Sequence, residues 1–339
     1  MGEFELIRRY FVRGTLGAGG EVVLGIGDDC ALLRPTGSGQ LLAVSSDMLI
    51  EGRHFFAGTD PAAIGHKALA VNLSDLAAMG ARPVGFTLAI ALPAIEEGWL
   101  QAFCEGMFAL SERFQCPLVG GDTTRGPLAI SITVMGEVPA TQALRRDRVR
   151  AGDQVWVSGP LGGASLAVSV RRERIEAGML RATGKGAMAE PGVEKNAEDE
   201  AAGRRLDWPE PRVELGIGLR GIAHAAIDIS DGLAGDLRHL LEASSPTGGL
   251  CAELSAADIP LDPCLADLAP ARALAHVLSG GDDYELLFTA SPEHHAAIEA
   301  LCPTARMIGH IRAGRGILLV GRDGKTAPVE ATGFDHFSG

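Results

Sequence analysis

A helix that is apolar on almost every side constrains the fold of this chain more than any other stretch. Asp60 and Pro61 open this helix, because Asp is a favoured N-cap and Pro is favoured at the first helical position. The helix is predicted to run to about Met79 and to end at Gly80, a residue type common just after a helix. Since apolar side chains surround it, the helix should be buried, and the core must be built around it.

The same helix carries Asn72, Ser74 and Asp75. A buried carboxylate is costly unless it is paired or bound to a metal. A hydrogen bond from a neighbouring backbone turn would also satisfy Asp75. A metal is favoured because four other segments repeat the pattern of an apolar run, small residues and Asp. These segments are residues 25–31, 45–47, 120–124 and 228–232. If the segments converge, they form a cage of hard oxygen ligands for divalent cations.

The first of these segments contains two adjacent carboxylates, Asp28 and Asp29, between small residues. Successive side chains of an extended chain point to opposite faces, so the two are expected to point in different directions. One of the two carboxylates can therefore face a cleft, and the other would be structural.

Composition and charge exclude several classes of protein. A chain of 339 residues is long enough for two domains. The net charge of −13 makes a general nucleic-acid binder improbable, since such proteins present a basic surface. None of the six cysteines forms a C-x-x-C pair, which favours reduced thiols in the cytosol. The N-terminus lacks an apolar signal region, and the run 86–92 is too short to cross a bilayer. We therefore expect a soluble, cytoplasmic protein with no membrane or nucleic-acid partner.

The order of predicted elements indicates two α/β domains. Residues 1–138 should form the first domain, and residues 139–153 an arginine-rich connector. This connector is either a solvated linker or a segment from which one arginine reaches a phosphate. Residues 154–339 should form the second domain, in which the polar stretch 173–207 is expected to be a mobile insertion. Helices are predicted at 4–12, 96–114, 212–223, 233–243 and 292–301, and strands at 22–26, 41–46, 85–92, 117–119, 128–138, 154–158 and 225–229.

Glycine-rich motifs do not indicate a common nucleotide-binding loop. Residues 216–221 match G-x-G-x-x-G, but they follow prolines and precede a predicted strand, whereas a dinucleotide motif follows a strand and opens a helix. Residues 159–163 follow a strand but lack the Lys-Ser/Thr of a Walker loop, so a turn is favoured over a phosphate contact.

Seven blocks of sequence, taken in order, resemble the thiamine-monophosphate kinases, of the superfamily that includes aminoimidazole ribonucleotide synthetase. The blocks are GIGDDCALL (25–33), SSDMLIEGRHF (45–55), HKALAVNLSDLAAMGARP (66–83), GGDTTRG (120–126), DISDGL (228–233), SGGDDYELLF (279–288) and TGFDHF (332–337). The resemblance implies ATP-dependent phosphorylation of thiamine monophosphate to thiamine diphosphate with several Mg²⁺ ions. It also implies an α/β subunit of the α+β type, with mixed sheets flanked by helices, that forms a homodimer through its N-terminal domain.

The resemblance also implies roles for individual residues. The metal ligands would be Asp29, Ser45, Ser46, Asp47, Asp75, Asp122, Asp228 and Asp231. With Asp29 as the ligand, Asp28, expected on the opposite face, is interpreted as structural. Contacts to ATP would come from Gly121, Asp122, Arg146 and Ser230, and contacts to the thiamine substrate from His54, Asp282 and Phe334. Asp282 could face the cationic, amine-bearing thiamine, and Phe334 could stack on a ring. No residue is assigned as a general base, because the second pKa of a phosphate monoester is about 6 and its oxygen is largely ionised near neutral pH.

Other members of the superfamily fit the chain less well. A selenophosphate synthetase should carry a reactive Cys near its N-terminal loop, and residues 14–20 contain none. The hydrogenase-maturation relative should end in a Cys-bearing tail, and residues 335–339 lack one. A non-catalytic cation- or nucleotide-binding dimer is the alternative from a different class.

Overall fold

The computed structural model describes residues 22–24, 27–34, 39–178 and 197–330 of the chain. The helix predicted at 4–12, the middle of the predicted insertion and Phe334 lie outside the described residues. The described part folds into two mixed sheets flanked by helices, so the predicted fold class is confirmed.

The first sheet contains six strands and precedes the predicted connector. Its strands are β1 (Val22–Leu24), β2 (Ala31–Leu33), β3 (Gln40–Ile50), β4 (Arg82–Leu92), β5 (Leu118–Arg125) and β6 (Ala129–Pro139). Their order across the sheet is β1-β2-β3-β6-β4-β5, and β4 and β5 form its one parallel pair among the described strands. Two helices follow β3 and β4, namely α1 (Pro61–Ala78) and α2 (Glu97–Arg113).

The boundaries of α1 confirm the sequence prediction. The Asp60 carboxylate accepts a hydrogen bond from the Ala62 N–H at 3.0 Å, Pro61 is the first residue, and Gly80 has a φ of +62°. Most side chains of α1 are buried, because α1 packs on α2 and the first sheet and also reaches elements that follow the connector.

The second sheet contains seven strands, all after the connector. Its strands are β7 (Gln154–Val157), β8 (Ala223–Asp228), β9 (Gly249–Ser255), β10 (Leu286–Ala290), β11 (Arg306–Gly314), β12 (Gly316–Val320) and β13 (Thr326–Pro328). Their order is β13-β12-β9-β11-β7-β10-β8, with β9 and β12 parallel. The helices are α3 (Gly163–Glu176), α4 (Ala197–Asp207), α5 (Val213–Gly218), α6 (Leu233–Ser244), α7 (Pro270–Ser279) and α8 (His295–Leu301). Short 3₁₀ turns lie at Arg146–Arg148, Pro263–Leu265 and Pro292–His294.

Helix α1 joins the two halves of the molecule, because it contacts both β8 and α5. Gly216 of α5 shows why these helices approach so closely. A Cβ at this position would lie 2.0 Å from the Ala77 carbonyl oxygen of α1. The glycine of the G-x-G-x-x-G match therefore serves helix packing, and the segment precedes a strand as the sequence indicated.

Several element predictions were wrong. The stretch 173–207 is helical at both ends, since α3 reaches Glu176 and α4 spans Ala197–Asp207. Burial of Ala202 and Leu206 and an Arg171–Asp207 ion pair hold α4 against α3, and these contacts leave little trace in a polar sequence. Helix α7 was missed, because only Ala273 and Val277 of this short segment are buried. The predicted helix 212–223 ends early, at Gly218, because β8 begins at Ala223.

Candidate metal and phosphate site

Three predicted ligands, Asp29, Asp75 and Asp228, converge in the structure. One carboxylate oxygen from each lies within 4.8 Å of the others, and we call these three residues the acidic cluster. Asp75 lies in the last turn of α1, Asp228 ends β8, and Asp29 lies in the turn before β2. Because α1 packs between the first sheet and β8, the fold brings together carboxylates that are far apart in the chain.

Two hydroxyl groups orient the carboxylates of the acidic cluster. The Ser45 Oγ donates a hydrogen bond to Asp75 Oδ2 at 2.5 Å, and the Ser74 Oγ donates to Asp228 Oδ2 at 2.7 Å. Ser74 was not among the predicted site residues, although its place beside Asp75 in a buried helix could have indicated it. These two hydrogen bonds engage Oδ2 of Asp75 and Oδ2 of Asp228, and the Oδ1 atom of each carboxylate can contact another partner.

Burial and mutual repulsion make the acidic cluster electrostatically unfavourable by itself. Burial raises the pKa of Asp75 well above its usual value, and the charges of Asp47 and Asp228 raise it further. Burial also raises the pKa of Asp228, and the neighbouring Asp29 raises it again. Such a crowd of hard oxygen donors is the type of set that binds Mg²⁺ or Ca²⁺, which would remove the repulsion.

Arg146 supplies the one guanidinium that bonds to the acidic cluster among the described residues. Its Nε and Nη2 donate to the two oxygens of Asp29 at 2.8 and 2.6 Å. Burial lowers the pKa of Arg146, but the charge and hydrogen bonds of Asp29 outweigh this and raise the pKa above its usual value. The arginine of the connector that was expected to reach a phosphate thus lies beside the predicted metal ligands.

Asp28 holds the turn that presents Asp29. Its carboxylate accepts hydrogen bonds from the Asp29 N–H at 2.9 Å and from the Arg146 N–H at 3.1 Å. Burial, followed by the charge of Asp29, raises the pKa of Asp28 to about 7. These contacts agree with the structural role inferred for Asp28.

Two further predicted ligands lie near the acidic cluster without joining it. The Asp47 N–H donates to Asn72 Oδ1 at 3.1 Å, and the Asp47 charge acts on Asp75. The loop that contains Ser230 and Asp231 is shaped by Asp236, whose carboxylate accepts from both of their N–H groups at 3.1 Å. The sequence analysis missed Asp236, a buried acid in the first turn of α6.

Ser46 and Asp122 lie on the opposite face of the first sheet from Asp47. Asp47 is in register with the buried Ile132, whereas Asp122 pairs with the exposed Ala89. Three strand spacings, about 14 Å, separate β3 from β5. Within one chain, the structure therefore does not bring Ser46 and Asp122 to the acidic cluster, and their role as ligands stays a prediction.

Gly121 has a backbone requirement of its own. Its φ is +150°, and a Cβ there would lie 1.9 Å from the Leu88 carbonyl oxygen of β4. A side chain at this position would push β5 away from β4, so glycine is needed for the parallel pairing whether or not it contacts ATP.

Two predicted substrate contacts, His54 and Asp282, are linked through Lys67. The Lys67 Nζ lies 3.2 Å from the His54 carbonyl oxygen and 3.2 Å from Asp282 Oδ1. The Ile50 N–H donates to His54 Nδ1 at 3.0 Å, so a neutral His54 ring carries its proton on Nε2. The third predicted contact, Phe334, lies outside the described residues.

A cavity of about 730 Å³ lies elsewhere, between the N-terminal half of α1 and helices α3 and α4. It is lined by His66, Arg171 and Trp208, and its lining includes none of the predicted site residues. The cavity is therefore separate from the carboxylates that mark the candidate site.

Comparison with known proteins shows which proteins this chain is similar to. Residues 27–138 match the family model "AIR synthase related protein, N-terminal domain". Over 342 residues the chain is 40% identical to the thiamine-monophosphate kinase of Salmonella typhimurium, a match that covers 99% of this chain and 98% of the relative.

Solved structures of thiamine-monophosphate kinases are also similar to this chain. A thiamine-monophosphate kinase from Stenotrophomonas maltophilia K279a is 43% identical, with a TM-score of 0.75, over 91% of this chain and 93% of that one. A structure described as AaThiL complexed with AMPPCP and TMP is 28% identical, with a TM-score of 0.80, over 99% of this chain and 97% of that one.

The two mixed sheets and the carboxylates between them define an AIR synthase-related α/β protein. The 40% sequence identity to a thiamine-monophosphate kinase over nearly the full length assigns the chain to one family within this class. The chain belongs to the thiamine-monophosphate kinase family.

Proposed function

We propose that the protein transfers the γ-phosphoryl group of ATP to the phosphate of thiamine monophosphate, which yields thiamine diphosphate and ADP. The observation that carries this proposal is the convergence of Asp29, Asp75 and Asp228 beside Arg146. Family membership supports the choice of substrate, as does the resemblance to a structure that holds AMPPCP and TMP.

The acidic cluster fits Mg²⁺, because its donors are carboxylate and hydroxyl oxygens and it has more carboxylates than arginines. The residues that would hold several ions are Asp29, Asp75 and Asp228, with Ser45, Asp47 and Asp231 nearby. When bound there, Mg²⁺ neutralises the charge of the polyphosphate. Ser46 and Asp122 remain proposed ligands on the other face of the sheet.

The protein's own contribution is to position the two substrates. Arg146 already bonds to Asp29, and its guanidinium suits an ATP phosphate, because the planar fork of donors matches phosphate oxygens. The Ser230 backbone lies in the loop shaped by Asp236, and Gly121 and Asp122 are further proposed ATP contacts. His54, Asp282 and Phe334 are proposed to bind the acceptor.

The transfer itself needs no general base. The acceptor phosphate has a second pKa of about 6, so it presents an ionised oxygen near neutral pH. That oxygen attacks the γ-phosphorus in line, the bond to the β-phosphate oxygen breaks, and ADP leaves with the electron pair. Catalysis then depends on alignment and on charge neutralisation.

We also propose that the protein is a homodimer formed through the first sheet. The face of this sheet opposite α1 exposes Met48 and Ile50 on β3, and the edge strand β5, three strands away, exposes Val119. Exposed large apolar side chains on one surface are typical of a protein interface. Ser46 and Asp122 lie on the same face, so a second copy packed there would cover them. Light scattering of wild type and Val119→Asp tests this, with a dimer expected for wild type and a shift to monomer for the variant.

Incubation with ATP, Mg²⁺ and thiamine monophosphate tests the proposed activity, with chromatography for thiamine diphosphate. Free thiamine and aminoimidazole precursors serve as competing substrates, and a product from either in place of thiamine diphosphate would overturn the assignment. Calorimetric binding of ATP–Mg²⁺ without ADP formation, with substrate present, would favour a non-catalytic nucleotide-binding protein.

A cytoplasmic location and the absence of nucleic-acid and membrane partners stay predictions. No described helix is long and apolar enough to cross a bilayer.

A further inference from the structure

Lys67 is a buried lysine of α1 to which neither the sequence motifs nor the proposed mechanism gives a role. Its residue surface is 3% exposed, and its Nζ contacts both the His54 carbonyl oxygen and Asp282 Oδ1 at 3.2 Å. A buried ammonium group is costly unless it is paired, so these two partners hold Lys67 in place. Lys67 thereby connects two segments that are far apart in the chain.

The two carboxylate oxygens of Asp282 differ in their contacts. Oδ1 accepts from the Tyr284 hydroxyl at 3.0 Å as well as from Lys67. Oδ2 has no hydrogen bond from a described residue, and the Asp282 side chain is 30% exposed. Burial, followed by the charge of Asp282, raises the pKa of Tyr284, so this phenol stays a neutral donor. One carboxylate oxygen is thus anchored and the other is available to a ligand.

The backbone around Asp282 is equally constrained. Asp282 and Tyr284 have φ values of +67° and +51°, which are uncommon for residues other than glycine. The Asp282 N–H donates to the Ser230 carbonyl oxygen, and a Cβ at Gly281 would lie 1.9 Å from that same oxygen. Strain of this kind persists only where neighbouring contacts enforce it, and Lys67 and Ser230 provide such contacts.

We propose that Lys67 is a positioning residue for the thiamine substrate. It acts through Asp282, whose Oδ2 it leaves ready to accept a hydrogen bond from the amino group of the substrate, and it fixes the His54 segment at a set distance from Asp282. This inference rests on the proposed function.

Steady-state kinetics of Lys67→Met, Lys67→Arg and the surface control Lys325→Met tests the role. Lys67→Met should raise the KM for thiamine monophosphate about tenfold, the loss expected for one charge-assisted hydrogen bond. The KM for ATP and kcat should stay within about twofold, and Lys67→Arg should recover most of the loss. Lys325 is exposed, so its variant should match wild type. Equal rises in both KM values, or a fall confined to kcat, would overturn the proposal.

A double-mutant cycle separates action through Asp282 from a general structural effect. In an Asp282→Asn background, Lys67→Met should raise the KM for thiamine monophosphate by less than about twofold further, because contacting residues are energetically coupled. Fully additive effects would contradict the proposal. If Lys67→Met does not fold, Lys67→Gln takes its place, because it keeps hydrogen-bond donors and loses the charge.

Amide hydrogen exchange tests, independently of turnover, whether Lys67 orders the segments that contain His54 and Asp282. Lys67→Met should speed amide exchange in residues 51–56 and 281–284 relative to Lys325→Met, since both segments lose their shared anchor. Unchanged exchange in both segments would overturn the positioning role. If wild type forms no thiamine diphosphate, the proposed function fails, and the exchange result still decides whether Lys67 orders the two segments.

Discussion

Two groups of carboxylates that are withdrawn from water are neutralised in different ways. The acidic cluster of Asp29, Asp75 and Asp228 bonds to one guanidinium, that of Arg146. A second group, Asp262, Asp283 and Glu285, lies within the half that follows the connector, and we call it the paired cluster. Asp75 is half-buried and the other five residues are buried, so burial alone does not distinguish the two groups.

The paired cluster is satisfied by the protein itself. Glu285 accepts from Arg212 Nε at 2.7 Å and from the Ser158 hydroxyl at 2.5 Å, and Arg205 bonds to it at 3.3 Å. Arg205 also pairs with Asp262 at 3.0 Å, and Asp283 accepts from the Gly162 N–H. The paired cluster has two arginines for its three acids, whereas the acidic cluster has one arginine for three acids. The ratio of carboxylates to arginines, and not the number of acids, is therefore what distinguishes the proposed metal site from the paired cluster.

The largest expected effect concerns the paired cluster. Glu285→Gln leaves Arg212 and Arg205 without their shared carboxylate, and breaking a buried ion pair costs about 3–5 kcal/mol. Urea unfolding should therefore show a large loss of stability. Glu253→Gln, which breaks the exposed pair with Arg312, is the control and should cost less than about 1 kcal/mol. Equal stability of the two variants would contradict the structural role of the paired cluster.

The matching change in the acidic cluster should affect turnover and spare stability. Asp75→Asn removes a proposed Mg²⁺ ligand and should lower kcat roughly 10²-fold or more. Without metal, the variant should melt at or above the wild-type temperature, because a repelled buried charge is gone. Asp29→Asn should behave similarly in kinetics. Full activity of both variants at limiting Mg²⁺ would disprove the metal-site interpretation.

Two serines provide a smaller and closely matched comparison. Ser158→Ala removes a donor from Glu285 and should cost about 1–3 kcal/mol of stability with no change in Mg²⁺ affinity. Ser74→Ala removes a donor from Asp228 and should weaken Mg²⁺ binding roughly tenfold. Calorimetry measures the affinity and urea unfolding the stability. A loss of Mg²⁺ affinity in Ser158→Ala, together with a loss of stability alone in Ser74→Ala, would contradict the interpretation of the two clusters.

The smallest expected effect is a change in pH dependence without metal. The raised pKa values of Asp28 and Asp75 mean that the folded protein binds more protons than the unfolded chain between about pH 4 and 7. These two groups therefore make the free energy of unfolding rise as the pH falls from about 7 towards 4. Asp75→Asn should show a weaker rise, by a few degrees of melting temperature in EDTA. His66 and His276, whose pKa values burial lowers, oppose the trend in both proteins, so the difference between them is the measure.

Local sequence signals predicted part of the molecule well. Asp60, Pro61 and Gly80 set the ends of α1, because capping and turn geometry depend on neighbouring residues alone. The family resemblance supplied the acids of the candidate site. Helix α4 and helix α7 escaped prediction, since their stability comes from packing on neighbours that the local pattern does not reveal.

The amino-acid sequence by itself determined which residues can act as ligands and that α1 must be buried, because residue chemistry and helical periodicity are local properties. The tertiary structure decided which of those ligands meet. Arg146 and Asp29, 117 residues apart in the chain, form an ion pair, whereas Ser46 and Asp47, adjacent in sequence, face opposite sides of a sheet. The physical reason is that strand alternation separates neighbours while layer packing joins distant segments. In the same way, Lys67 gained its proposed role only where α1 meets the Asp282 loop.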